Sequence, residues 1–276
     1  MILREVLYRT RDILASNNIE DAPMESELLI RQVLNYNRVQ LYQNMKEELS
    51  PDKQNILQFI LERRLSGEPA AYITGSREFY GLDFYVNKDV LIPRPETEHL
   101  VDKAISLGRL YERPVIADIG TGSAAIAVSL AVNLVTASVF ATDISFDALK
   151  VADINCHKHN VQDRITLLCG NLLDPLPQKA NIIAANLPYV KRGEIPINSH
   201  EPMLALDGGE DGLDIIRLLC RQAADKIYPD GHLLLEIGLG QKDAVVNLLE
   251  EISSVNNIEV IPDLRGIDRV VCASFG

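Results

Sequence analysis

Long apolar runs are missing from this chain. Nowhere in its 276 residues do apolar side chains run on for the ~20 positions that carry a helix across a bilayer. The opening stretch "MILREVLYRTRD" is broken by charge and lacks the continuous apolar segment of a secretory leader. A cytoplasmic location with no membrane partner is expected. Clustered cysteines are missing too: Cys156, Cys169, Cys220 and Cys272 are scattered with no C-x-x-C pair, which reads as reduced structural thiols. Positive charge is scarce. Against 39 acidic residues stand 27 Lys and Arg, a net charge of −12 that argues against wrapping nucleic acid, so no direct nucleic-acid partner is expected. "HKH" puts His157 and His159 two apart, on different faces of a helix, so no metal site is expected there. No G-x-S-x-G elbow and no internal repeat occurs.

Apolar residues make up 47% of the chain, enough for one large or two modest cores. Residues 1–70 read as a small all-α domain of three helices. In "SPDKQNILQFILERRLSG", Ser50 serves as N-cap, Pro51 opens the helix and Gly67 stops it, with Ile56, Leu57, Ile60 and Leu61 as the apolar stripe. Over 71–93 the period falls to two, and "EFYGLDFYV" predicts a β-hairpin linker. From 94 to 276 apolar strands alternate with helices: "PVIADI", "ASVFATD", "RITLLC", "ANIIAAN", "HLLLEI", "NIEVI" and "RVVCAS". That alternation predicts an α/β domain with a seven-stranded, mostly parallel sheet, and places ligands at the carboxyl ends of its strands.

Three strand ends carry polar residues suited to a nucleotide-like ligand. "ADIGTGSAAIAVSL" turns from strand to helix through Gly120 and Gly122, which bring backbone N–H groups towards a ligand. Formally it satisfies G-x-G-x-x-A, so a dinucleotide remains open. Asp143, ending the next strand, suits both hydroxyls of a ribose or the cap of the following helix. Asn171 and Leu172 follow the third strand, where they can meet an adenine edge and face. The fourth strand ends in "NLPY". There the Asn186 side-chain oxygen and the Leu187 carbonyl can accept from an –NH₂ group, and Tyr189 offers a ring for stacking. A dehydrogenase has no use for that set; a methyltransferase acting on nitrogen has.

Taken with "GEPAAYITGSREFYGLDFYVN", "LIPRPETE", "EPMLALDGGEDGLD" and "LLLEIG", these motifs resemble the HemK/PrmC protein-glutamine methyltransferases over essentially the whole chain. The resemblance implies a Rossmann-like class I S-adenosylmethionine-dependent methyltransferase domain behind a helical domain that engages peptide chain release factors. The implied reaction methylates the glutamine of their Gly-Gly-Gln motif, leaving S-adenosylhomocysteine, in a monomer without metal. Residue by residue, Gly120, Thr121, Gly122, Ser123, Ala124, Asp143, Asn171, Leu172 and Asn186 fall on the cofactor site. Asn186, Leu187, Pro188 and Tyr189 fall on the substrate-amide site, with Asn186 and Tyr189 as the catalytic pair.

Two positions depart from the family pattern. Leu187 stands where proline is usual, and Ala124 where glycine is usual, so that its methyl is expected to crowd the cofactor. "NLPY" is also the form typical of ribosomal-RNA adenine methyltransferases, which gives the alternative reading. A cofactor-binding interaction protein without catalysis is a third.

Overall fold

Seven strand patterns in the sequence become seven strands in the computed structural model, which describes residues 1–197 and 199–276. Contacts group these residues into two compact units, Met1–Ser76 and Arg77–Gly276.

The first unit is helical: α1 (Leu3–Ser16), α2 (Ala22–Leu34), α3 (Arg38–Gln43), α4 (Pro51–Leu65) and α5 (Ala70–Thr74). As the spacing predicts, α4 opens on Ser50, whose side chain accepts from the Lys53 N–H, with Pro51 in the first turn. Leu57, Ile60 and Leu61 are buried, but Ile56 is 51% exposed. It lies about 90° round the helix from the centre of that stripe. Two helices go beyond the three that periodicity predicts. At six and five residues, α3 and α5 are too short for an apolar period to repeat. A reciprocal cap holds α3: Asn37 Oδ1 accepts from the Gln40 N–H and Gln40 Oε1 from the Asn37 N–H, each at 2.8 Å.

The hairpin pairs β1 (Ser76–Phe79) with β2 (Leu82–Tyr85). Its two turn residues, Tyr80 and Gly81, both have positive φ, the twist a two-residue hairpin requires. A short 3₁₀ turn, Pro95–Thr97, leads into α6 (Glu98–Gly108). Then follow β3 (Val115–Ile119), α7 (Ala125–Asn133), β4 (Ser138–Asp143), α8 (Phe146–Lys158), β5 (Ile165–Cys169) and β6 (Ala180–Ala185). The chain ends with α9 (Asp214–Lys226), β7 (Ile227–Glu236), α10 (Lys242–Glu250), β8 (Val255–Pro262) and β9 (Asp268–Phe275).

The sheet order is β5-β4-β3-β6-β7-β9-β8, with β9 antiparallel to both neighbours. From β3 the chain builds outward through β4 and β5, then returns to β3's other side with β6. That reversal creates a crevice beyond the carboxyl ends of β3 and β6, where open α/β sheets bind ligands. Ile119, Ile183 and Leu235 are wholly buried in the sheet's core, which makes the floor of that crevice rigid. Among the described residues no helix is long and apolar enough to cross a membrane.

Candidate active site

Gly120 turns the chain out of β3 with φ of 70°. A Cβ at this position would come within 3.2 Å of Leu187 Cδ2, so the two loops are in close contact here. Leu187 is buried in the core cluster beneath the turn, and this packing restrains it as a proline ring would. The loop's N–H groups do not face a ligand as expected. Those of Gly120 and Thr121 both donate to the Thr142 carbonyl at 2.9 Å, and that of Gly122 to Asp143 Oδ2 at 2.9 Å. A dinucleotide pyrophosphate needs such groups free. The loop instead leaves open space at Gly122, where a Cβ would meet no protein atom within 4 Å.

Ala124 is the N-cap of α7, in the left-handed conformation with φ of 62° and fully buried. It has no side chain to cap with. Asp118, buried inside β3, takes that role: its Oδ2 accepts from the Ala127 N–H at 3.1 Å and from the Thr121 hydroxyl at 2.6 Å. Burial pushes its pKa up to about 7 against those two donors. A further brace comes from Asn155 on α8, fully buried, which exchanges hydrogen bonds with the backbone of Tyr85 and donates to the Ser123 carbonyl at 2.9 Å.

At the end of β4, Asp143 accepts from Gly122 and, through Oδ1, from the Ser145 N–H at 2.8 Å. Ser145, rather than Asp143, caps α8 through its side chain. Beyond β5, Leu172 sits in the left-handed region with φ of 48°. Its carbonyl accepts from the buried Thr142 hydroxyl. At the end of β6, Asn186 Nδ2 donates to Thr97 Oγ1 at 3.0 Å, which leaves Oδ1 as the free acceptor.

A cavity of about 460 Å³ opens at these strand ends. Its wall takes in Gly120, Thr121, Gly122, Ser123, Asp143, Asn171, Leu172, Asn186, Leu187 and Pro188. Ala124 and Tyr189 are not on the wall, so the Ala124 methyl does not crowd the space as expected. Tyr189 donates its hydroxyl to Glu236 Oε1 at 3.2 Å.

The profile of the PrmC N-terminal domain matches residues 5–75, and that of ribosomal protein L11 methyltransferase (PrmA) matches residues 100–188. A release factor glutamine methyltransferase of Moorella thermoacetica is 41% identical over 279 residues, covering 99% of this chain and 98% of its own. One of Geobacter sulfurreducens is 38% identical, covering 99% and 97%. The chain belongs to the release factor glutamine methyltransferases. A solved methyltransferase from Pyrococcus furiosus shares the fold of 78% of this chain and 97% of its own, with a TM-score of 0.55 at 17% identity.

Two segments that mark the methyltransferase family in the sequence have structural work here. "EPMLALDGGEDG" packs along the backbone of "NLPY". Val190 bonds to Leu206 and Gly208, and a Cβ on Gly208 or Gly212 would strike the Pro188 or Tyr189 carbonyl at 2.7 or 2.4 Å. Gln241 donates to the Tyr189 and Gly212 carbonyls and closes that seam. In "RPETE", Arg94 pairs with Glu201, which also accepts from the Ile92 N–H at 3.0 Å, tying the cavity-lining Leu91 and Pro93 to the cavity-lining Pro202 and Met203. Thr97 and Glu236 lie in the "RPETE" and "LLLEIG" motifs, which assign them no role, and no sequence pattern marks Asn155 or Gln241. Each is a polar side chain sealed inside the fold, and only the partner it meets reveals its role.

Proposed function

We propose that this chain transfers a methyl group from S-adenosylmethionine to the side-chain amide nitrogen of the glutamine in the Gly-Gly-Gln motif of peptide chain release factors. The observation that carries it is Asn186: its amine donates to Thr97, which turns its oxygen to the other side as an acceptor for a substrate –NH₂. The cavity residues fit the cofactor. Asp143 offers carboxylate lone pairs for ribose hydroxyls, Leu172 an apolar face, and Gly122 a surface a side chain would fill.

S-adenosylmethionine, when bound, supplies a methyl group on a cationic sulfur and leaves as S-adenosylhomocysteine. The protein's own task is to present the nucleophile. An amide lone pair is delocalised into its carbonyl and attacks poorly. Asn186 Oδ1 and the Leu187 carbonyl accept the two N–H hydrogens, aim the nitrogen and add to its electron density, an orienting effect that can supply several kcal/mol. Tyr189, anchored through Glu236, supports that backbone from behind. Once methylated, the nitrogen loses its extra proton to water without a dedicated base. The helical residues 1–70 engage the factor, the hairpin of 71–93 links them to the transferase of 94–276, and the protein works as a cytoplasmic monomer without metal.

The test is transfer of labelled methyl to a release factor, its Gln→Ala variant in Gly-Gly-Gln, and naked small-subunit ribosomal RNA. Label on the intact factor alone is the expected result. Label on the RNA would return the site to an adenine amino group, and binding of cofactor with no label anywhere would make the chain a non-catalytic partner.

A further inference from the structure

A carboxamide has an oxygen and an amine of nearly equal size, so shape alone does not decide which one faces a substrate. At Asn186 the decision lies with Thr97. This hydroxyl, itself buried, receives the Asn186 amine at 3.0 Å. A hydroxyl carries one proton, and it accepts from Asn186 dependably only if that proton is held elsewhere. Glu236, at the end of β7 and 2% exposed, lies near enough for the Thr97 hydroxyl to act on its carboxylate. Its Oε1 takes the Tyr189 hydroxyl, and its Oε2 is buried without a hydrogen bond of ordinary geometry, which leaves this carboxylate an open acceptor for the Thr97 hydroxyl that acts on it. Glu236 also lies within "LLLEIG", and Thr97 within "RPETE", two of the segments that carry the family resemblance.

We infer that Glu236 and Thr97 are positioning residues: the Glu236 carboxylate draws the Thr97 proton, and Thr97 therefore holds the Asn186 amine inward and its oxygen towards the substrate amide. This rests on the reading given under Proposed function, and it adds the device that sets the polarity of the acceptor. Burial raises the Glu236 pKa to about 7, and the Thr97 hydroxyl opposes that rise, as a donor to the carboxylate does. Tyr189, Arg269 and Glu96 are the other titratable or charged groups acting on it. Protonating Glu236 supplies a donor where the chain needs an acceptor. The Thr97 proton then turns to Asn186, the carboxamide flips, and two donors face each other at the substrate.

Three variants separate this role from packing. Thr97→Val keeps the shape and removes the hydroxyl, Thr97→Ser keeps the hydroxyl, and Glu236→Gln removes the charge. In assays with the full chain and a release factor, Thr97→Val should lower kcat at least tenfold and Thr97→Ser should recover most of it. The calorimetric Kd for S-adenosylmethionine should change much less than kcat in all three: Thr97 lines the cavity, but Gly122, Asp143 and Leu172, on which the cofactor's hold is proposed to rest, are untouched. Wild-type kcat should fall on acidification through about pH 7, and the Glu236→Gln profile should not. Equal losses in the valine and serine variants, or an unchanged pH profile in Glu236→Gln, would overturn the inference.

A second readout needs no substrate. In ¹⁵N spectra the Asn186 side-chain NH₂ protons should be protected from solvent exchange in the wild type and unprotected in Thr97→Val. Protection unchanged by loss of the hydroxyl would also overturn it. If the wild type methylates no factor, the proposed function fails while these spectra still decide the positioning.

Discussion

Leu187 supports Gly120 from below, with its Cδ2 3.2 Å from where a glycine Cβ would stand. The residue that departs from the family's proline is thus a buried prop for the cofactor loop as well as a backbone acceptor. Leu187→Ala should cost about 2–4 kcal/mol in urea unfolding, the usual range for emptying a core leucine site, and should weaken cofactor binding as the loop loses its floor. An unfolding midpoint within error of wild type would show that the prop is dispensable.

Ala124 pays for its left-handed backbone rather than for contact with the cofactor. Replacing it with glycine relieves a strain of about 1–2 kcal/mol. It also gives up a buried methyl worth about 0.8 kcal/mol and adds flexibility to the unfolded chain. These oppose one another, so Ala124→Gly should change stability by less than about 1 kcal/mol. Calorimetry should find the cofactor affinity unaltered. Tighter binding would mean that the methyl intrudes on the cavity after all.

Asp143 has two N–H donors to satisfy, from Gly122 and Ser145. An asparagine offers one oxygen and turns an amine towards the other donor. Asp143→Asn should therefore cost about 1–3 kcal/mol of stability and weaken S-adenosylmethionine binding at least tenfold. Lost stability with intact affinity would leave Asp143 as a loop brace only.

Glu236 gives stability a definite dependence on pH. Its pKa rises from 4.5 to about 7 on folding, so the folded state holds the proton more tightly than the unfolded chain. The stabilising effect of that proton is complete below pH 4.5 and is lost as pH rises through about 7. Glu236→Gln cannot ionise. Its thermal midpoint relative to wild type should climb between pH 5 and pH 8, towards an advantage of about 3 kcal/mol. Asp118 titrates in the same window in both proteins, so the difference between them isolates Glu236. A gap that stays constant with pH would mean that Glu236 remains neutral throughout.

The sheet was legible because each strand is a short apolar run between turn residues, and its parallel order follows from the intervening helices. The cavity wall was legible at the strand ends, where Gly120, Asp143, Asn171 and Asn186 break the apolar pattern with residues of evident chemistry. Hydrogen-bond direction was not. "GTG" reads as a set of free N–H groups, but Thr142 and Asp143 consume them from the neighbouring strand. Tyr189 reads as a stacking ring, and no local pattern shows that Glu236, 47 positions later, takes its hydroxyl. The short α3 and α5 were hidden by length, since one turn and a half gives no period to detect.

Asn155 makes the hairpin and the glycine loop one cooperative unit. A single carboxamide bonds both backbone groups of Tyr85 and the Ser123 carbonyl, so β2 cannot lift away without loosening the loop. Local opening of the two should share one free energy, and a ligand that binds only the closed loop raises that energy for both. The Tyr85 amide, which is not on the cavity wall, should thus exchange its hydrogen more slowly once S-adenosylmethionine is bound.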